Sequence, residues 1–255
     1  MSRLQGRVAI ITGAGSGIGQ GIAKRFAVDG ANVVIDYIGP AEGAQETLRM
    51  VEAAGAQGII VKADVSKTSG VESLINQAWA RFGSADILVN NAGIGFEPSF
   101  LNASEEDFYR VIDVNLKAPF FVTQAFARRL AADRKPGRVI NISSVHEDIA
   151  LPGHTSYCAS KGGLRMLMRN LSVELAPLGI TVNNIAPGAI ATPMSQPLLD
   201  DKSRLNALLE QLPLNRIGTT EDVAGLASFL ASDEASYVTG ATYYIDGGLS
   251  RYYNE

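Results

Sequence analysis

The chain has 255 residues, of which 46% are hydrophobic and 19% charged, and its formal net charge is −4. This composition is typical of a globular protein with a sizeable core and excludes a disordered or fibrous chain. Acidic and basic residues are interspersed without a long basic run, so we expect no nucleic-acid partner. The apolar stretches are too short to span a bilayer, and no signal region or lipidation motif is recognisable. These features predict a cytoplasmic protein without membrane contact.

Seven short apolar runs, rich in β-branched residues, alternate along the chain with segments of helical periodicity. Their hydrophobicity is continuous rather than alternating, which favours strands that are buried on both faces of a parallel sheet. Strands and helices that alternate from end to end predict a doubly wound α/β fold with right-handed crossovers. The predicted strands span residues 7–12, 32–37, 58–63, 86–91, 138–143, 181–186 and 241–246.

No linker, repeat or shift in composition divides the chain, so residues 1–255 are predicted to form a single domain. The alternation is interrupted over residues 188–218, which begin with the stretch GAIATPMSQPLLDD. Long excursions after the carboxyl end of a strand commonly form lids or binding loops. Ligands of open α/β sheets also lie beyond these strand ends, so we expect the excursion to contact the substrate.

A glycine-rich turn, TGAGSGIG, joins the first predicted strand to the first predicted helix. The turn does not match the pattern GxGxxG but fits TGxxxGxG, with Gly13, Gly17 and Gly19 at the glycine positions. Such glycines allow a positive φ and a close approach of backbone N–H groups to a pyrophosphate, which the helix N-terminus also attracts. The pattern GxxxxGK[ST] does not occur, which excludes a P-loop nucleotidase.

Asp36 ends the second predicted strand, 23 residues after Gly13. A carboxylate at this point can accept hydrogen bonds from the adenosine ribose hydroxyls and would repel a 2′-phosphate. Residues 14–16 and 37–39 include no Arg or Lys that would attract such a phosphate. The sequence therefore leans towards NAD over NADP, and the alternative is that Asp36 only ends a strand in a turn.

Tyr157 and Lys161 lie four positions apart in SYCASKGG, on one face of a predicted helix. A free tyrosine has a pKa of about 10, and a neighbouring ammonium would lower that pKa and make the phenol a better base. Ser144 precedes Tyr157 by thirteen residues, with Pro152 and Gly153 between them. We therefore expect Ser144 at a strand end, where its hydroxyl can hold a substrate oxygen. The alternative is an ordinary amphipathic helix surface.

The same segment also suggests two other kinds of site. Ser144 and His146 suggest a serine hydrolase, but GxSxG is absent and side chains two positions apart do not by default form a proton relay. His146, Glu147 and Asp148 suggest a metal site, but adjacent loop residues point in different directions. With two histidines and one cysteine in the chain and no zinc-binding spacing, we predict no metal.

Taken together, these motifs resemble the short-chain dehydrogenase/reductase family from residue 6 to the C-terminus. They are TGAGSGIG, NNAG at 90–93, VIDVNL around Asn115, ISS at 142–144, YxxxK at 157–161 and PGAIATP at 187–193. The resemblance implies a seven-stranded Rossmann sheet, a homotetramer and a catalytic tetrad of Asn115, Ser144, Tyr157 and Lys161. Asn115 would hold a water that connects the lysine to solvent.

The resemblance also implies which residues would contact a nicotinamide dinucleotide. Lys161 would bind the nicotinamide ribose, and Ile190 and Thr192 would anchor the carboxamide. Asp64 and Val65 would meet the adenine, although Asp64 and Thr192 could equally cap the helices that follow them. The implied set is Gly13, Ser16, Gly17, Ile18, Gly19, Asp36, Asp64, Val65, Asn91, Ala92, Gly93, Tyr157, Lys161, Pro187, Gly188, Ile190 and Thr192.

The substrate is suggested by SSVHE at 143–147 and by a closing DGG with a tyrosine tail, which are most similar to the glucose 1-dehydrogenase branch of the family. This similarity implies a sugar or polyol held by Ser144, His146 and Tyr157, with Glu147 also lining the pocket. Unpaired polar groups in such a pocket would cost about 1 to 3 kcal/mol each, which allows strong discrimination of a polyol.

Two alternatives stay open at this point. A 3-oxoacyl-(acyl-carrier-protein) reductase would share the fold and the tetrad and would have to dock an acidic carrier protein. A basic patch beside the site would serve that docking, and it would consist of Arg128, Arg129, Arg134 and Lys135. Such a cluster is more often a solvated helix C-terminus, which the helix macrodipole favours. The second alternative is a dinucleotide-sensing protein without activity, although such proteins characteristically lose the tyrosine or the lysine.

Overall fold

A computed structural model describes residues 2–95 and 98–251 of the chain. It contains one seven-stranded parallel sheet in the order β3-β2-β1-β4-β5-β6-β7, which confirms the predicted doubly wound Rossmann architecture. Each strand end lies within one residue of its predicted position. The strands are β1 (Val8–Ile11), β2 (Asn32–Tyr37), β3 (Gly58–Lys62), β4 (Ile87–Asn90), β5 (Gly137–Ile142), β6 (Ile180–Pro187) and β7 (Thr242–Ile245).

Helices cover both faces of the sheet and bury the apolar strands between two hydrophobic clusters. One cluster includes Ile22 and Phe26, and the other includes Leu74, Phe126 and Met168. Two-sided burial explains why the strands carry continuous rather than alternating hydrophobicity. The helices are α1 (Gly17–Val28), α2 (Glu42–Ala53), α3 (Thr68–Phe82), α4 (Glu105–Ile112), α5 (Ala118–Asp133), α6 (Thr155–Glu174), α7 (Gln196–Asp200), α8 (Lys202–Glu210) and α9 (Thr220–Ala231).

The order of the strands reverses between β1 and β4, which are hydrogen-bonded neighbours although two strands separate them in the chain. In such sheets the loops that follow the two central strands diverge and leave a crevice at the carboxyl ends. The glycine turn follows β1, and the sequence NNAG begins in β4. The fold therefore brings the two motifs to the same crevice.

The excursion between β6 and α9 contains a 3₁₀ turn at Pro193–Ser195 followed by α7 and α8. Ile190 and Gly218 pair in an isolated parallel bridge, which closes the base of the excursion. Neither α7 nor α8 has a buried residue. The excursion is therefore fixed at its base and exposed along its helices.

Two features are absent from the described residues. None of the helices within 2–95 and 98–251 combines the length and the apolar character that crossing a membrane requires. The same part of the chain contains no group of three His, Cys, Asp or Glu side chains placed to hold a metal ion.

Candidate active site

The turn after β1 has a backbone that only glycine adopts easily. Gly13 and Gly17 have φ values of 63° and 57°, in the left-handed region. A Cβ atom on Gly13 would lie 2.9 Å from the Cα of Ala92, and one on Gly19 would lie 2.4 Å from the side-chain nitrogen of Asn91. The turn therefore packs directly on the loop that follows β4.

Thr12 and Asn91 tie these two loops together. The Thr12 hydroxyl accepts the backbone N–H groups of Asn91 and Ala92, each at 3.0 Å. The Asn91 side chain donates to the carbonyl oxygens of Thr12 at 2.9 Å and Gly13 at 3.0 Å. The sequence motif contains Thr12 but indicated no separate role for it. Its place directly after β1, at the start of the glycine turn, was the feature that could have suggested this contact.

The N-terminus of α1 has the features of a phosphate site. Ser16 is the N-cap residue, but its side chain makes no capping hydrogen bond, so N–H groups of the first turn have no side-chain partner there. Such groups and the helix dipole favour an anion. A Cβ on Gly17 would lie 3.5 Å from the Cβ of Thr192, so the segment after β6 reaches the same turn. The residues present therefore fit a dinucleotide laid across the crevice between β1 and β4.

Asp36 lies behind the glycine turn. Its side chain is 2% exposed, and its Oδ2 accepts the backbone N–H of Gly13 at 3.1 Å. The other oxygen, Oδ1, is buried without a hydrogen-bond partner. Burial raises the pKa of Asp36 to about 7, against the opposing effect of the Gly13 N–H. The expected contact with a ribose hydroxyl stays a prediction, and the contact that the structure shows is with the turn.

The pKa of Asp36 gives a testable dependence of stability on pH. Because that pKa is raised above the ordinary 3.8, the folded protein binds more protons than the unfolded chain between about pH 4 and pH 7. The free energy of unfolding is therefore expected to fall as the pH rises through this interval. Asp36→Asn removes the ionisation, so the stability of the variant relative to wild type should rise by up to about 2.6 kcal/mol from pH 5 to pH 8.

Urea denaturation at the two pH values measures this difference. Asp107→Asn is the matched control, because hydrogen bonds from Ser104 lower the pKa of Asp107 and keep it ionised at both pH values, and Asp107 does not act on Asp36. The control should differ from wild type equally at pH 5 and pH 8. An equal difference for Asp36→Asn as well would show that Asp36 does not titrate in this interval.

Asn115 lies in a π-helical turn, Asp113–Lys117, between α4 and α5. It is fully buried, and its side chain exchanges two hydrogen bonds of 2.9 Å with the backbone of Ile94 and donates to the Ser160 hydroxyl at 3.2 Å. π-Helical turns often mark functional sites. Asn115 thus connects the loop after β4 to α6, and the water predicted at this residue stays a prediction.

The structure brings Ser144, Tyr157 and Lys161 together beyond the end of β5. Tyr157 lies in the first turn of α6, and its hydroxyl and that of Ser144 are hydrogen-bonded. The Lys161 Nζ donates to the carbonyl oxygen of Ile142 at 2.9 Å and lies 5.6 Å from the centre of the Tyr157 ring. A Cβ on Gly93 would lie 3.7 Å from the same Nζ, so the group also borders the loop after β4.

The electrostatics of this group differ from the sequence-based expectation. Burial raises the pKa of Tyr157 above its ordinary value, and the opposing effect comes from the hydrogen bond with Ser144. Lys161 is 4% exposed, and burial lowers its pKa to about 8, against the charge of Glu147. The expectation that the ammonium makes Tyr157 acidic is therefore not met in the protein alone, because burial of Tyr157 raises its pKa and the ammonium is bonded to Ile142.

His146 packs edge-on against Tyr157, with the ring centres 6.3 Å apart. Its Nδ1 lies 3.2 Å from the carbonyl oxygen of Ile149, and since a carbonyl only accepts, Nδ1 must carry the hydrogen. Burial lowers the pKa of His146, which favours the neutral ring near pH 7. In that tautomer Nε2 is an acceptor for a hydroxyl group.

The expectation that Glu147 lines the pocket is wrong. Its side chain is fully buried, and Oε2 accepts from the Ser143 hydroxyl at 2.5 Å and from the Asn184 side chain at 3.1 Å. The reason is the tight 3₁₀ turn at Val145–Glu147, which points consecutive side chains in different directions. Asp148 pairs instead with Arg165 at 2.7 Å, and the three acidic and imidazole groups do not converge on a metal site.

Asp64 and Thr192 both form hydrogen bonds with residues of their own turns. The Asp64 carboxylate accepts from the backbone and hydroxyl of Ser66 and pairs with Lys67 at 3.2 Å, in the turn before α3. Thr192 forms a capping box with Ser195. Their roles towards a dinucleotide stay predictions. The other predicted cofactor residues lie at or soon after the carboxyl ends of β1, β3, β4 and β6, and they are Ile18, Val65, Ala92, Gly93, Pro187, Gly188 and Ile190.

The basic residues that were expected beside the site lie at the other end of the sheet. Arg134 caps the C-terminus of α5 just before β5 begins at Gly137, whereas Ser144 follows the end of β5. A six-residue strand spans about 20 Å, so this length separates the basic residues from the site. Arg129 is also engaged, because it donates to Asn76 at 2.6 Å. The idea of a carrier-protein docking patch next to the site is therefore wrong.

A crevice with these features defines a Rossmann-type oxidoreductase that uses a nicotinamide dinucleotide. Residues 13–250 match the family model described as Enoyl-(Acyl carrier protein) reductase. The chain belongs to the short-chain dehydrogenase/reductase family, as its motifs predicted, and it acts on CH–OH donors.

Similar proteins cover nearly the whole chain. A 3beta-hydroxysteroid dehydrogenase 1 of Eggerthella lenta is 43% identical over 98% of this chain and 95% of its own length. Glucose 1-dehydrogenase 2 of Bacillus subtilis is 42% identical over 98% and 96%. The crystal structure of a gluconate 5-dehydrogenase from Burkholderia cenocepacia with NADP and tartrate is 37% identical, with a TM-score of 0.92 over 98% of each chain. All three relatives are thus named as dehydrogenases, whereas the substrates in their names differ.

Proposed function

We propose that the protein oxidises a hydroxyl group of a sugar or polyol, either a secondary alcohol or a hemiacetal, with a nicotinamide dinucleotide as hydride acceptor. In this reaction the carbon-bound hydrogen leaves as hydride, the hydroxyl proton passes to Tyr157, and a carbonyl group forms. The observation that carries the proposal is the hydrogen-bonded pair of Ser144 and Tyr157 beside the buried Lys161. The bound dinucleotide would supply the hydride acceptor and, in its oxidised form, a positive charge.

The residues of this chain supply proton transfer and orientation. Ser144 would donate to the substrate oxygen and stabilise the charge that develops on it. The Tyr157 hydroxyl has its pKa raised by burial, so it is a poor base by itself. Charge from Lys161 and from the oxidised cofactor would favour its phenolate. Asn115 would keep the loop after β4 against α6 through its bonds to Ile94.

A polyol is favoured by the polar wall of the pocket. The ring of His146 packs against Tyr157, the proposed base, and in its neutral form this ring offers Nε2 as a hydrogen-bond acceptor. A hydroxyl next to the reacting carbon would satisfy this acceptor, whereas a hydrocarbon substrate would leave it unpaired. The similarity to glucose 1-dehydrogenase 2 supports the same substrate class.

A second substrate class, an alicyclic alcohol such as a hydroxysteroid, is favoured by a different observation. Met194 is 64% exposed, and both its sulfur and the Tyr157 ring lie within 4 Å of the position of a Cβ on Gly95. An exposed thioether beside the proposed base could pack on an apolar ring system. The 43% identity to a 3beta-hydroxysteroid dehydrogenase supports this class.

The substrate class is tested by following cofactor reduction at 340 nm with glucose, other aldoses, gluconate, polyols and a 3β-hydroxysteroid, and cofactor oxidation with an acetoacetyl thioester. We expect turnover of an aldose or polyol, and Tyr157→Phe should retain cofactor binding while losing at least about 100-fold in kcat, because it lacks only the hydroxyl. Turnover of the steroid alone would select the second class. Turnover of the thioester alone would select a carrier-protein reductase, and binding without any turnover would select a sensor.

For the cofactor, we propose a preference for NAD over NADP. The exposed residues that follow β2 carry no cation, and Ile38 is 68% exposed at the point where a 2′-phosphate would need a partner. Two observations act against the preference. Lys62 is exposed and pairs in register with Tyr37, so β3 contributes a cation that the local sequence does not reveal. The structural relative from Burkholderia cenocepacia contains NADP.

Ile38→Arg tests this proposal by adding a cation at the end of β2. We expect the ratio of kcat/KM for NADP to that for NAD to rise by about tenfold or more, since a guanidinium pairs with a phosphate through two hydrogen bonds. Val28→Arg is the matched control, because Val28 is 61% exposed at the far end of α1, about 16 Å along the helix. An equal change in both variants would show that Ile38 does not face the ribose.

We propose a homotetramer in which α5 and α6 form an interface. Phe120 and Phe121 on α5 are 43% and 44% exposed, and Met166 on α6 is 53% exposed. Apolar side chains, including Leu167 and Leu171, line the groove between the two helices. Exposed apolar surface of this kind marks interaction sites.

Sedimentation equilibrium is expected to give four times the chain mass of 27.0 kDa. Phe120→Asp should shift the distribution towards smaller species because it places a charge in the apolar groove. A wild-type mass of one chain at micromolar concentration would contradict the tetramer.

A further inference from the structure

The sequence DGG at residues 246–248 forms a turn directly after β7, and we call these three residues the DGG turn. The Asp246 carboxylate closes it, because Oδ1 accepts the N–H of Gly248 and Oδ2 accepts the N–H of Ser250, each at 2.9 Å. Gly247 and Gly248 have φ values of 63° and 92°, in the left-handed region that favours glycine. The three residue types are therefore the ones that this turn requires.

The DGG turn contacts the beginning of the excursion between β6 and α9. A Cβ on Gly188, the first residue after β6, would lie 2.9 Å from both the Cα and the Cβ of Asp246. The N–H of Gly188 also donates to the carbonyl oxygen of Ile245 at 2.9 Å, at the end of β7. Because only glycine leaves room for this approach, the excursion starts directly against the DGG turn.

The same turn contacts the end of the excursion, after α8. Leu212 is 4% exposed, and it is the one buried residue among residues 191–222, all of which the structure describes. A Cβ on Gly247 would lie 3.6 Å from the Leu212 side chain, and the N–H of Leu214 donates to the Gly247 carbonyl oxygen at 3.1 Å. The buried side chain that anchors the excursion therefore packs at the DGG turn.

Pro213, between these two leucines, lies against the second glycine of the turn. A Cβ on Gly248 would lie 2.8 Å from the Cγ of Pro213 and 3.2 Å from its Cδ. The shorter distance is closer than a Cβ atom can approach another carbon without displacing it. Any larger residue at position 248 would therefore push the end of the excursion away from the sheet.

Between its two contacts with the DGG turn, the excursion reaches the proposed base. The Met194 sulfur and the Tyr157 ring lie 3.7 and 3.8 Å from the position of a Cβ on Gly95, so they border the same space. Ile190 is held separately, by its bridge to Gly218. The DGG turn thus holds both ends of the segment that carries Met194, whereas the bridge holds the residue that was predicted to contact the nicotinamide.

We infer that Asp246, Gly247 and Gly248 are positioning residues for substrate binding: the DGG turn clamps the start and the end of the excursion and thereby sets where Met194 lies relative to Tyr157. The inference rests on the proposed function, in which the excursion borders the substrate pocket. A turn that only ended the sheet would contribute to global stability without controlling the excursion.

Gly248→Ala tests the clamp, because it adds a methyl group where Pro213 lies. Hydrogen–deuterium exchange followed by mass spectrometry measures how often each segment opens. In the variant we expect the amides of residues 193–214 to exchange about tenfold faster or more, since their local opening no longer has to break the contacts with the turn. Exchange in β1 and α1 should stay at the wild-type rate.

Gly83→Ala is the matched control. Gly83 caps α3 with a φ of 74°, and a Cβ there would meet no atom within 4 Å. The control therefore introduces a similar backbone strain without a contact to the excursion, and residues 193–214 should exchange as in wild type. Equal acceleration in both variants, or wild-type exchange of the excursion in a folded Gly248→Ala, would overturn the inference.

Asp246→Asn provides a second test if Gly248→Ala does not fold, as judged by circular dichroism. It keeps the shape of the side chain but replaces one of the two acceptor oxygens with an NH₂ group, which faces a backbone N–H. The excursion should again exchange faster than in wild type, while β1 and α1 do not. Unchanged exchange of the excursion would contradict the clamp.

Steady-state kinetics connect the clamp to the substrate. Gly248→Ala should raise the KM for the alcohol by about fivefold or more and change kcat by less than about twofold, because the bridge of Ile190 to Gly218 is kept. An unchanged KM together with faster exchange would overturn the role in substrate binding. An inactive wild-type protein would reject the proposed function, whereas the exchange measurement would still decide whether the turn clamps the excursion.

Discussion

The arrangement of the active site depends on keeping one ammonium group charged away from water. Lys161 is 4% exposed, and burying an ion without partners costs several kcal/mol. Its hydrogen-bond partner is the Ile142 carbonyl at the end of β5, and the charge of Glu147 in the next turn opposes the effect of burial on its pKa. Because both lie at one strand end, α6 has to begin beside that end, and this places Tyr157 against Ser144. The proposed base and the proposed oxygen donor thus meet at the strand end that holds the buried ammonium.

A row of amide side chains crosses the central strands and ends at the same carboxylate. Asn90, Asn141 and Asn184 are in register on β4, β5 and β6, and hydrogen bonds of 2.8 and 2.9 Å join them. Thr123 accepts from the first residue of the row, and Glu147 accepts from the last. A shift of one residue in any strand would turn its amide to the opposite face and leave buried polar groups unpaired. The row therefore fixes the level at which the strand ends carry Ser144 and its neighbours.

The sequence predicted the sheet and the grouping of Ser144, Tyr157 and Lys161, because continuous apolar runs and ordered motifs report on topology. It did not predict where individual side chains point. Asp36 lies behind the glycine turn because neighbouring residues of a strand face opposite sides. Glu147 faces inward because a 3₁₀ turn separates consecutive side chains. The wrong prediction for the basic residues could have been avoided. A helix that leads into β5 must end at the edge of the sheet where β5 begins, opposite the residues that follow β5.

The proposed catalytic residues and the excursion between β6 and α9 are held in the fold with different strength. The former belong to buried strand ends and to α6, where a change disturbs paired charges. The excursion between β6 and α9 is anchored by the bridge of Ile190 to Gly218, but α7 and α8 bury no residue, and Met194 is largely exposed. Side chains there can change without loss of the core, so one catalytic site can serve different substrates. Such a division would let relatives of nearly equal identity to this chain act on a steroid in one case and on glucose in the other, as their names state.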